Sequence, residues 1–223
     1  MPLTATEKAV ITEGKAWIDT HADDLIGLLE DLVSRPALSG QEGIHRDQNT
    51  PVGRLFEFLK QQAGDEIEIS TQRITNDYVT EPRENVYATI SSVGSQTGGL
   101  ACTSHTDIVP AGDHDDWPDA DPFRLTEATA TYLGDTEITL EINGETYDRD
   151  IREKMAKIWK KRDAETVDVL IGRGAFDNKA AIVCLVGSLL GLEQGVTTQQ
   201  LSLLGDVVHG HLVDEEVYQI GVK

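Results

Sequence analysis

Apolar residues recur at helical spacing near the N-terminus. Leu25, Leu28, Leu29 and Leu32 make a stripe that predicts helix over residues 4–33, stopped by Arg35-Pro36. After a polar loop (39–50), a second helix is expected over 51–63, with Val52, Leu55, Phe56 and Leu59 on one face. Ile67 and Ile69 alternate with polar residues as in a strand, residues 85–91 read the same way, and a short apolar strand over 100–104 ends on His105. Residues 108–123, rich in Pro, Asp and Gly, read as loop. Ile138, Leu140 and Ile142 then alternate ahead of Asn143-Gly144, a hairpin pattern within 131–147. An amphipathic helix is expected over 148–162, with Ile151, Met155, Ile158 and Trp159 on one side. A strand over 167–171, a turn at Gly172-Arg173-Gly174, an apolar helix over 178–193 and a strand region over 201–213 complete the pattern.

Helices alternating with short apolar strands predict an α/β layered sheet. Ligands in such sheets gather at the carboxyl ends of strands. His105, the 172–177 turn and Glu215-Glu216 all stand where an expected strand ends. The 223 residues read as a single domain, with no internal repeat and no low-complexity linker.

Charge adds a second constraint. Against 39 acidic residues stand 19 basic ones, a net charge of −20. Nucleic acid is therefore excluded as an expected partner, because its binding depends on neutralising phosphates. Acidity spread over the whole chain suggests a halophilic-type surface that stays hydrated in concentrated salt. With no apolar run of membrane-spanning length and a polar N-terminus, the expectation is a cytoplasmic protein without membrane contact. Cys102 and Cys184 lie in apolar runs and are expected to be buried thiols.

Three short motifs can carry chemistry. In His105-Thr106-Asp107, residues 105 and 107 point to one side if the strand continues; an imidazole can bind zinc while a carboxylate takes its other N–H. The same residues also suit an ordinary polar loop start. Asp177 follows a glycine turn at the head of a helix, where it suits either an N-cap or a metal bridge. Glu215-Glu216 reads as a solvated loop unless a metal is present; then one Glu can ligate while the other takes a proton from water.

Together these motifs resemble the M20 family of metallopeptidases and deacylases, which includes acetylornithine deacetylase, succinyl-diaminopimelate desuccinylase, aminoacylase and glutamate carboxypeptidase. The matching segments are Ser104-His-Thr-Asp-Ile-Val-Pro-Ala-Gly-Asp113 with Trp117 and Pro122-Phe123, then Gly172-Arg-Gly-Ala-Phe-Asp-Asn-Lys179, then Val213-Asp-Glu-Glu216. The resemblance implies a three-layer αβα sandwich around a mostly parallel, mixed sheet. It implies two zinc ions (or cobalt) about 3.5–4 Å apart, with His105 a ligand of one metal, Asp107 its orienting partner, Asp177 the bridge, Glu215 the general base and Glu216 a ligand of the other metal. The implied substrates are N-acyl amino acids or small peptides.

The sequence also departs from the family. Lys223 stands seven residues past Glu216, whereas family members continue with further ligands and a lid domain. This implies an incomplete catalytic domain over residues 1–223 with the lid absent, an unpaired sheet edge and an uncovered apolar face. A truncated, inactive remnant, or half of a split enzyme completed by a C-terminal polypeptide, is the alternative reading; a homodimer is also considered. Residues 125–168 read as an insertion of a hairpin and a basic helix holding Arg149, Arg152, Lys154, Lys157, Lys160, Lys161 and Arg162, seven of the 19 basic residues. It is either surface or a patch that attracts a substrate carboxylate. His209 and His211 share a face of the last strand, as metal ligands or as a buried or edge pair.

Overall fold

The computed structural model describes residues 2–75, 77, 80–93, 98–160 and 165–217. The first helical stretch is two helices, α1 (Ala5–Thr20) and α2 (Ala22–Val33). The chain leaves helical geometry at His21 (φ −107°, ψ 19°), whose ring stacks on Trp17 at 4.2 Å. Thr4 and Glu7 close a capping box at the start of α1. α3 (Pro51–Gln62) starts on Thr50, whose hydroxyl accepts from the Gly53 N–H, with Pro51 preset for the first turn.

Among the described residues, eight strands form two sheets. Sheet A contains β1 (Ile67–Ile74), β2 (Arg83–Ile90), β3 (Gly99–His105) and β8 (Asp206–Leu212), in the order β1-β2-β8-β3. Only the β3–β8 pair is parallel, so the sheet is mixed. Its inner face carries Ile67, Val86, Ala88 and Ile90, which join Leu28, Leu32, Val52, Leu55 and Leu59 of the helices in one core. Burying each of these Val, Leu and Ile side chains contributes roughly 1.5–3 kcal/mol. The last helix, α5 (Ala180–Thr198), supplies Ile182, Val186, Leu189 and Leu190 to the same core. Its segment is long and apolar enough to cross a membrane by length and composition alone, but half of it is buried against the rest of the protein. α1 reaches α5 through small residues: a Cβ on Gly14 would sit 2.8 Å from the Gly191 carbonyl oxygen, so the helices cross in backbone contact.

The α/β class and the mixed sheet are as expected. Among the described residues, the helices of the main core lie on one face of sheet A, while Ala101 and Thr103 of β3 are exposed on the other.

A second sheet was not anticipated. Sheet B contains β4 (Thr126–Gly134), β5 (Glu137–Ile142), β6 (Glu145–Asp150) and β7 (Thr166–Ile171), all antiparallel, in the order β6-β5-β4-β7. The expected Asn143-Gly144 turn joins β5 to β6, both residues at positive φ (52° and 82°). The helix expected over 148–162 is shorter. Residues 148–150 belong to β6, where Asp148 pairs with Thr139, and α4 spans Glu153–Trp159. Lys161 and Arg162 lie outside the described residues. The thiols also differ from expectation: Cys184 is exposed on α5 and Cys102 is half-buried.

Candidate metal centre

Parallel pairing of β3 and β8 sets the two ends of the site side by side. His105 is in register with Leu212, so the His105-Thr106-Asp107 segment and the Asp214-Glu215-Glu216 segment leave the sheet at the same edge. The Thr106 N–H donates to the Leu212 carbonyl oxygen at 2.9 Å, continuing the contact past the strands. Asp177 arrives differently. β7 lies in sheet B, so the 172–177 turn is not a third strand end of the same sheet, as the sequence had suggested; the segment Ala175–Lys179 carries Asp177 to the head of α5.

All five expected residues meet. Ligand atoms of His105, Glu215 and Glu216 lie within 4.8 Å of one another. His105 Nε2 is 3.2 Å from Asp177 Oδ1 and 3.9 Å from Glu215 Oε2. Asp177 is not an N-cap: Lys179 takes that position, with no side-chain capping bond. The Asp177 side chain is 71% exposed and opens the site to solvent.

Asp107 holds the two halves together. It is fully buried, and its carboxylate accepts from the Ser39 hydroxyl (2.5 Å), the Glu215 N–H (3.1 Å) and the Glu216 N–H (2.9 Å). His105 Nδ1 lies 3.1 Å from the Asp107 backbone oxygen and 3.4 Å from its carboxylate, which leaves Nε2 facing the acidic cluster. Burial alone would raise the Asp107 pKa, but hydrogen bonds from His105, Ser39 and the two glutamate amides hold it below the ordinary range. Burial disfavours the imidazolium of His105; hydrogen bonding and charge from Asp107, with Glu215 and Asp177, outweigh it and raise the pKa to about 9. Glu216 is pushed up, by burial first and by Asp177, Asp107 and Glu215 next, against the pull of His105.

Behind the cluster lies a layer of buried charge that sequence reasoning missed. The chain turns out of β8 at Asp214, which has φ 59°, a conformation Asp tolerates better than most residues. Asp214 is fully buried, accepts from Arg83 Nε at 2.5 Å, and donates its N–H to Glu42 Oε1 at 2.7 Å. Burial raises the Glu42 pKa to about 7, with Asp107 and Asp214 adding to the rise against two backbone hydrogen bonds. Lys179 is buried under the site, its Nζ donating to the Thr106 carbonyl at 3.2 Å. Desolvation lowers its pKa to about 8 against the opposing charges of Asp107 and Glu42. The one available signal was Lys179 at the head of an apolar helix.

His209 and His211 take no part in the cluster. They share the inner face of sheet A with Val86 and Ala88, and His211 Nδ1 is 2.7 Å from Ser104 Oγ. Burial, then His209, lowers the His211 pKa to about 3, and burial also lowers that of His209.

Among solved structures, the chain is similar to the di-peptidase Dug1p from Saccharomyces cerevisiae (TM-score 0.50, 14% identity), over 95% of this chain and 36% of that one. It also matches human carnosine dipeptidase 1 (TM-score 0.46, 17% identity, 90% of this chain and 34% of that one). A third match is aminopeptidase PepT from Bacillus cereus (TM-score 0.44, 15% identity, 88% and 38%). The likeness to Dug1p shows a shared fold. The chain spans about a third of the length of these proteins. No protein-family profile matches it, and no curated protein does.

Proposed function

We propose that the chain carries part of a dinuclear-zinc amidohydrolase centre of the M20 type, which cleaves the amide bond of N-acyl amino acids or small peptides. The observation that carries this reading is the clustering of Glu215 and Glu216 ligand atoms with one of His105, whose Nε2 also faces Asp177 and Glu215. The donor set fits a divalent ion. One imidazole and three carboxylates suit zinc, and a proton on His105 offsets only one of the negative charges gathered there. His105 would hold one ion, Glu216 the other and Asp177 both. When bound, the ions supply Lewis acidity, which acidifies water and polarises an amide carbonyl.

The protein's own groups do the rest. Asp107 fixes the His105 ring and, through the amides of residues 215 and 216, the backbone of the glutamate pair. Glu215 accepts a proton from the attacking water and passes it to the leaving nitrogen as the C–N bond breaks. The exposed face and edge of β3 favour a centre completed by further polypeptide, in the same or another chain. Zinc-loaded protein assayed on N-acetyl amino acids and dipeptides tests the reading. Glu215→Gln is expected to keep bound metal and lose turnover. Fewer than about 0.1 metal equivalents after loading at high salt would overturn the reading for this chain.

A further inference from the structure

The apolar face of sheet B is not packed shut. Register sets Ala130 across from Leu140, Leu140 across from Tyr147 and Ile138 across from Arg149, so these side chains share one face, with Val169 and Ile171 beside them. The opposite face carries Thr129, Thr131, Thr139, Glu141, Asp148 and Asp168. A sheet patterned this way needs cover on its apolar side. The cover is partial: Trp159 of α4 and Trp117 of the 111–119 loop stand around a cleft of about 750 Å³, a volume that suits a small organic molecule.

Two residues that line this cleft, Arg173 and Trp159, each carry a buried donor, Nε and Nε1, with no acceptor among the described residues. Arg173 is held firmly. Its guanidinium lies 4.9 Å from the Trp117 ring centre, its Nη2 donates to the Ala111 carbonyl at 3.3 Å, and its backbone N–H donates to the Pro122 carbonyl at 2.7 Å. A buried donor left unmade is costly, and a ligand oxygen would satisfy it, most strongly as a carboxylate on the guanidinium. Asp115, Asp116, Asp119 and Asp150 also line the cleft and outnumber its two guanidinium groups, Arg149 and Arg173, so a multiply charged anion is repelled. A cationic ligand would leave both donors unanswered.

We propose that this cleft binds a small monocarboxylate with an apolar or aromatic body, its carboxylate on Arg173 and its body against Ile138, Leu140 and Val169. Binding here does not depend on the metal centre. The test is calorimetric titration of the whole chain with phenylacetate, phenethyl alcohol and phenethylamine. A chelator is present so that no metal ion takes up the acid. Salt at about 1 M shortens the screening length to about 3 Å and suppresses repulsion from the net charge. The expected result is saturable binding of phenylacetate and at least about tenfold weaker binding of the alcohol and the amine. Arg173→Gln and Trp159→Phe should each weaken the acid, Arg173→Gln more. If Arg173→Gln does not fold, Trp159→Phe and the preference for acid over alcohol still decide. Equal binding of acid and alcohol, or no saturable binding of the acid, would overturn the proposal.

Discussion

Sheets A and B each have four strands and an apolar face, yet they bury it differently. Sheet A is sealed by α2, α3 and α5, and Leu32, Val52, Leu55, Val86 and Ala88 are wholly inaccessible. Sheet B is covered by one short helix and a loop, and a cleft is left between them. The sealed sheet carries the strand ends that position His105, Glu215 and Glu216, which need fixed support. The open one presents apolar surface and unanswered donors, which suit a ligand. Burial and accessibility have been divided between the two sheets.

Variants on each side of that contrast should separate it. The largest effect is expected at the buried pair behind the glutamates. Arg83→Met leaves Asp214 uncompensated in the interior and should cost about 3–5 kcal/mol in denaturant unfolding. Leu55→Ala opens a cavity in the sealed core and should cost roughly 2–5 kcal/mol by the same measurement. Leu140→Ala faces the existing cleft and should cost about 1 kcal/mol or less. Equal losses for the two leucines would erase the contrast between the sheets.

The site adds a pH prediction. In the metal-free protein, His105 holds a proton up to about pH 9, above its ordinary value of 6.5. Zinc must displace that proton, so its affinity should rise about tenfold per pH unit until near pH 9 and then level off. The sign for stability is the opposite. The contribution of the protonated His105 is complete below pH 6.5 and is lost as pH rises through about 9, so the metal-free protein should unfold more easily at alkaline pH. A zinc affinity flat between pH 6.5 and 9 would show that zinc displaces no proton from His105 in that range.

Much of the site was legible in the sequence because its residues are local to strand ends. A short apolar run ending on His105, and another ending on Asp214-Glu215-Glu216, need only parallel neighbours to bring their ends together, and β3 and β8 are such neighbours. The supporting layer was not legible. Glu42, Arg83 and Lys179 lie far apart along the chain, in a segment that reads as polar loop, just ahead of an expected strand and at an expected helix start, and only packing turns them inward. The break at His21 was missed because the leucine stripe of α2 gives no sign of it. Sheet B was only half visible. The Ile138–Ile142 alternation and the Asn143-Gly144 turn marked one hairpin, but the pairing of β4 with β7 joins residues some forty positions apart and leaves no local pattern.

His105, Asp177 and the glutamate pair are proposed to form a divalent-cation site. Titration of the chain with cobalt(II) at pH 8 and high salt, followed by its visible absorption, tests this most directly. The account predicts a saturable ligand-field spectrum that His105→Ala abolishes and Asp177→Asn weakens, while the fold, read by far-UV circular dichroism, stays intact. An identical spectrum in wild type and His105→Ala, or none in wild type, would contradict it.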